Sequence, residues 1–147
     1  MLTKKGKYGI KAMSYLARFE PGRTVPVQEI ATTQRIPKKF LDAILCELRN
    51  LGYVSSKMGK GGGYTLARPA ETITVGNIIR ALDGPLAPLP CASKTRYQPC
   101  DDCVDVEKCA VRLVMQDAQR ALSGVLDNCT LAHVRDLADE VALCYEI

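Results

Sequence analysis

The chain has no tryptophan, only two phenylalanines and a single histidine in 147 residues. One imidazole, His133, leaves no nucleophile–base constellation, and acid–base or acyl-transfer catalysis needs one. We therefore expect no enzyme and no small-molecule substrate. No apolar run approaches the roughly 18 residues of a membrane-spanning helix, so no membrane partner is expected. The basic start "MLTKKGKYGIKAM" is followed by no apolar signal core and no small-residue cleavage site. That pattern points to a cytoplasmic protein.

Cysteine and uneven charge are what the chain does have. Four of its seven cysteines, Cys91, Cys100, Cys103 and Cys109, fall in "CASKTRYQPCDDCVDVEKC". In a reducing compartment, clustered thiols are more often metal ligands or redox groups than structural bridges. Cys46, Cys129 and Cys144 lie alone in apolar-periodic segments, where a buried and inert role is expected. Residues 1–70 carry a net +9 and residues 71–147 a net −5, which together give the +4 of the whole chain. A basic half joined to an acidic half suggests that the first half meets a polyanion.

The periodicity of the first half gives a fold. Tyr8, Ala12, Leu16 and Phe19 recur at helical spacing, and "EPGRTVP" then breaks the helix. "VQEIATTQR" is a short amphipathic segment. A longer helix opens at Pro37, carries Leu41, Ile44, Leu45, Leu48 and Leu51 on one stripe, and stops at Gly52. A short helix, a tight turn and a longer helix make a helix-turn-helix. The first turn of the second helix presents Lys38, Lys39 and Asp42 outward, at the end of a recognition helix that reaches base edges. Next, "YVSSKMGKGGGYTLARP" offers strands at 53–57 and 64–67 around a glycine-rich tip. Lys57, Lys60, Gly61, Gly62 and Tyr64 belong to this wing, whose glycines let the main chain approach phosphate. A nucleotide-binding loop is excluded because no "GK[ST]" follows and the loop joins strand to strand.

"TVGNIIRALDGP" reads as a short helix with Thr74 as its N-cap. The stretch 84–108 is long, irregular and cysteine-bearing, as functional loops are. Helical period then returns. Val111, Met115, Ala118, Leu122 and Val125 form a heptad-like stripe that suits either a core helix or a homodimer interface. Thr130 is expected to cap a final helix, "LAHVRDLADEVALCYE". The expected fold class is mainly α with a small β-wing: a winged helix-turn-helix domain (1–83), a cysteine-rich loop (84–108) and a long dimerisation helix with a C-terminal helix (109–147).

"LTKKGKYGIKAM", "IPKKFLDAILCELRNLGYVSS" and "GKGGGYTLARPAETITVGNIIRALDGPLAP" resemble the Rrf family of bacterial transcription regulators over nearly the whole chain. The resemblance implies a regulator, expected to be a repressor. It would bind a double-stranded DNA operator as a homodimer, with phosphate contacts from Thr3 and Lys4. It also implies that loop cysteines hold an iron–sulfur cluster, and Cys91, Cys103 and Cys109 match the family's positions. The gap from Cys91 to Cys103 is longer than usual and brings in Cys100. Arg112 stands where some relatives place a histidine ligand, and Met58 where many have an arginine. Three readings of the loop stay open. One is a 2Fe–2S or 4Fe–4S cluster on Cys91, Cys100, Cys103 and Cys109. The others are a structural zinc site and a metal-free thiol–disulfide pair at Cys100 and Cys103.

Overall fold

A computed structural model describes residues 2–145. Among these residues are six α-helices: α1 (Lys4–Leu16), α2 (Val27–Gln34), α3 (Lys38–Asn50), α4 (Val75–Asp83), α5 (Ala110–Leu126) and α6 (Leu131–Tyr145). One antiparallel pair, β1 (Val54–Lys57) and β2 (Gly63–Leu66), lies between α3 and α4. The expected class, mainly helical with a small β-wing, is what is found. Glu146, placed by sequence in the last helix, lies outside the described residues.

The first core forms where the apolar stripes of the first half converge. Met13, Ile30, Leu41, Ile44, Leu45, Leu48 and Val54 are almost fully buried. Each such side chain contributes roughly 1.5–3 kcal/mol through removal from water. Leu51, expected on the same stripe, is exposed instead, because α3 ends one residue earlier and the chain turns through Gly52 at φ 80°. Phe19 likewise falls beyond the end of α1 and packs edge-on against Tyr15, with ring centroids 5.2 Å apart.

Two close approaches fix how the helices sit. Gly6 and Gly9 line the side of α1 that meets α4, where a Cβ on Gly9 would fall 2.2 Å from Leu82 Cδ1. The other joins the wing to the body. Val25 N–H donates to Tyr64 O (2.8 Å) and Tyr64 N–H to Val25 O (2.9 Å), which adds a short third rung beside β2.

Thr74 caps α4 through a reciprocal capping box with Asn77, as its spacing predicts. Thr130 Oγ1 accepts from His133 N–H at the start of α6. Although α6 follows α5, it returns to the first core: Leu131 is fully buried there, and Arg135 donates to Ala17 O (3.2 Å). By contrast, α5 has a single buried residue, Gln119. Its partly covered side runs through Arg112, Met115, Gln119, Leu122 and Leu126. Val111, Val114, Ala121 and Val125 face outward, so the expected stripe divides between the two sides.

Candidate nucleic-acid interface and cysteine site

Helix α3 presents its outer side through Lys38, Lys39, Asp42, Ala43, Arg49 and Asn50, all exposed. Lys38 Nζ and Asp42 Oδ2 are 3.1 Å apart, so these two expected readers form an i,i+4 pair. That pairing leaves Lys39 as the net positive charge of the first turn. Arg49 reaches toward the wing, with Nη1 3.4 Å from Ser56 Oγ. Between α2 and α3 the chain turns through Arg35 at φ 53°, the one non-glycine residue with positive φ among those described. Sequence reasoning passed over Arg35, because nothing in its neighbourhood announces a left-handed turn without glycine.

The wing carries Lys57 at the end of β1 and Lys60 in its tip. Gly59 and Gly61 take left-handed conformations, and Gly62 N–H donates to Gly59 O (3.0 Å). Thr24 Oγ1 donates to Gly61 O and holds the tip from below. Met58 is the most exposed apolar side chain of the wing, at 91%. Tyr64 is half-buried against the core, so its side chain serves packing while its backbone ties down the wing. Thr3 caps α1, and its hydroxyl and N–H both donate to the Asp83 carboxylate (2.5 and 2.9 Å). The Thr3 hydroxyl is thus already engaged, and Lys4 and Lys7 are exposed cations of that end.

The four loop cysteines come together. Cys91 sits buried in a 3-10 turn (Pro90–Ala92), and Cys109 stands at the N-cap of α5, where its side chain caps nothing. Cys91, Cys100, Cys103 and Cys109 line one cavity of about 220 Å³ with Leu89, Asp102, Val106, Val111 and Arg112. Arg112 staples this cavity shut on one side. Its Nε donates to Cys91 O (3.0 Å), and its guanidinium lies 5.8 Å from the Tyr97 ring centre. Among the described residues, Cys100, Asp102 and Cys103 have donor atoms close enough together to hold one ion. Cys91 and Cys109 stand outside that tighter group.

Electrostatics in the loop favour the protonated thiol at Cys100 and Cys103. The Cys100 thiol donates to Asp102 Oδ1 (3.0 Å). That bond, with Cys103 beside it, pushes Cys100 up to about 12 and holds Asp102 below the ordinary carboxylate value. Cys103 is also raised: its hydrogen bond with Cys100 acts downward, and desolvation and Cys109 outweigh it. A metal at this site must displace protons. The three remaining cysteines depart from expectation. Cys46 and Cys129 are half-buried, and Cys144 is exposed in the last turn of α6, where every described residue from 141 to 145 is exposed.

The Rrf2 family model, described as an iron-dependent transcriptional regulator, matches residues 2–137. The chain belongs to the Rrf2 family. An rrf2-like protein of Rhodobacter capsulatus is 40% identical over 134 residues, covering 89% of each chain. The HTH-type transcriptional regulator IscR of Escherichia coli is 35% identical over 133 residues, 90% of this chain and 78% of its own. Among solved structures, CymR, the global cysteine regulator of B. subtilis, superposes with a TM-score of 0.77 at 30% identity, covering 93% of this chain and 97% of that one. T. potens IscR gives 0.75 at 30% identity, covering 96% and 90%. The chain is therefore an Rrf2-type transcriptional regulator of winged-helix architecture, and its relatives are regulators and not enzymes. Membership of this family implies DNA binding. Among the described residues, no helix is long and apolar enough to cross a membrane.

Proposed function

We propose that this Rrf2 regulator is a homodimer that binds a double-stranded operator and responds to an iron–sulfur cluster held by Cys91, Cys100, Cys103 and Cys109. One observation carries the sensor reading: four cysteines spread over nineteen residues line a single cavity at the foot of α5. A cavity of about 220 Å³ holds several atoms, since one water occupies about 30 Å³ of liquid. The donor set is thiolate-rich, as iron–sulfur ligation requires. Such a cluster, when bound, supplies redox and small-molecule reactivity. Around it, Arg112 fixes the Cys91 backbone and offsets the negative charge of the thiolates.

In this reading the first turn of α3 enters the major groove. Lys39 and the Lys38–Asp42 pair face base edges, and Lys57, Lys60 and the Gly61–Gly62 backbone lie along the flanking phosphates. Lys4, at the start of α1, adds a further phosphate contact, with Thr3 holding the helix end in place. The outward stripe of α5 meets its copy in a second chain. The three-part division at 83/84 and 108/109 belongs to this proposal, with α6 acting as a brace back to α1.

A specific observation favours a second reading. The close grouping of Cys100, Asp102 and Cys103 suits a single ion such as zinc. Anaerobic purification with a visible spectrum and iron, sulfide and zinc analysis separates the two. Brown protein with iron and acid-labile sulfide supports the cluster. Colourless protein with stoichiometric zinc supports the structural site. Protein that takes up neither metal on anaerobic reconstitution leaves a thiol pair or a cluster-free regulator. Comparing the metal-loaded and metal-free forms on one operator then tests whether the site controls DNA affinity.

A further inference from the structure

The chain has two phenylalanines, and they are used differently. Phe19 packs edge-on against Tyr15 beneath the guanidinium of Arg23 (4.9 Å). Phe40 lies in the first turn of α3 and is 63% exposed, with no aromatic or cationic partner among the described residues. The buried stripe of Leu41, Ile44, Leu45 and Leu48 lies beside it, and the ring stands at the edge of that stripe, largely in solvent. Two turns further on, Glu47 lies on the same flank as Phe40 and pairs with Lys5 of α1 (2.5 Å). The ring is therefore on the α1 side of α3, away from the wing and next to Lys39.

We infer that Phe40 is a specificity-determining residue that packs on the C5-methyl group of a thymine in the major groove. This inference rests on the DNA-binding reading above. The N-terminal turn of a groove-entering helix is the part that reaches base edges. The thymine methyl is the one apolar feature those edges offer, and aromatic or small apolar side chains are what meets it. The surroundings argue against a protein occupant. Lys39 precedes the ring in the same exposed first turn, and lysine is depleted in the cores of protein interfaces.

The test starts from a duplex selected out of random sequences by the wild-type protein. Each thymine in turn is replaced by deoxyuridine, which removes only the methyl. Affinities of wild type, Phe40→Ala and Phe40→Leu are measured by fluorescence anisotropy at one salt concentration. At one thymine per half-site, deoxyuridine should weaken wild-type binding about fourfold, the transfer value of one buried methyl. Phe40→Ala should bind the thymine duplex more weakly and lose the discrimination, and Phe40→Leu should keep part of it. Circular dichroism checks that both variants are folded, which exposure of the ring leads one to expect. The proposal is overturned if Phe40→Ala discriminates like wild type at every thymine, or if wild type discriminates at none. Failure to select any duplex is a separate result that removes the DNA-binding reading itself.

Discussion

Arg80 grips Asp127 with both arms of its guanidinium: Nη1 donates to Oδ1 (2.6 Å) and Nη2 to Oδ2 (2.8 Å). The pair ties α4, packed on α1 in the DNA-binding body, to the C-cap of α5. Gly76 makes room for it, since a Cβ there would fall 2.0 Å from Asp127 Oδ1. The pair thus joins the DNA-binding body to the C-terminal end of α5, the end away from the cysteine cavity.

The same pair gives a pH prediction. The Arg80 hydrogen bonds hold the Asp127 carboxyl below its ordinary value. A depressed carboxyl stabilises the fold above its unfolded value and loses that contribution as pH falls through the folded one. Both groups are about a third exposed, so the effect is modest. Asp127→Asn should cost about 0.5–1 kcal/mol at neutral pH. In urea unfolding, the gap to wild type should shrink as the pH drops below the ordinary carboxylate range of about 4. A gap that stays constant with pH would assign the loss to packing and not to charge.

Gly63 offers a sharper mechanical test. Its φ is 154°, and a Cβ would lie 2.1 Å from Val25 O, a backbone atom that cannot move aside cheaply. Gly63→Ala should break the Val25–Tyr64 rung, cost about 2 kcal/mol or more, and weaken operator binding by releasing the wing. At Gly61 an added Cβ meets nothing, so Gly61→Ala carries only the cost of its φ of 77°, about 1 kcal/mol. Thermal unfolding of the two variants side by side checks the order.

How much of this was legible follows from what each feature depends on. The stripe of α3, the Thr74 cap and the glycine-rich wing are local patterns, and local patterns survive folding. Leu51 and Phe40 show the limit. One is apolar by spacing yet past the helix end, and the other stands off the stripe and so drew no attention. The cysteine cavity was legible as a cluster in sequence. Asp102 joining Cys100 and Cys103, and Arg112 clasping the Cys91 carbonyl, depend on how an irregular loop folds back, and no periodicity encodes that. On α5 the expected stripe divides between two phases: Met115, Ala118 and Leu122 are half-buried, while Val111 and Val125 are exposed. A heptad pattern in a short helix leaves the choice between inner and outer face to the neighbouring chain.

The exposed phase makes the dimer proposal testable. Val111, Val114 and Val125 are each more than half exposed on the outer side of α5. Val114→Asp places a charge on that stripe without touching the core of the protomer. Sedimentation should show wild type as a dimer and the variant as a folded monomer with weakened operator binding. A monomeric wild type at micromolar concentration would remove the paired half-site model.

Arg35 gives the prediction in which two readouts move in opposite directions. It closes α2 in a left-handed conformation, and Ile36 N–H completes the turn on Ala31 O (2.9 Å). Glycine is the residue that takes this conformation without penalty, and a side chain there stores about 1 kcal/mol of strain. Strain kept at one exposed position calls for a role outside the fold. The turn between α2 and α3 lies just before the proposed groove-entering helix, within reach of the DNA backbone. Arg35→Gly should therefore raise stability in urea unfolding by about 0.5–1 kcal/mol. It should also weaken operator binding on all sequences alike and lower the salt dependence of binding by about one phosphate contact. Greater stability with unchanged affinity and salt slope would make Arg35 a tolerated strain with no part in DNA binding. Lower stability would mean that the guanidinium supports the turn itself.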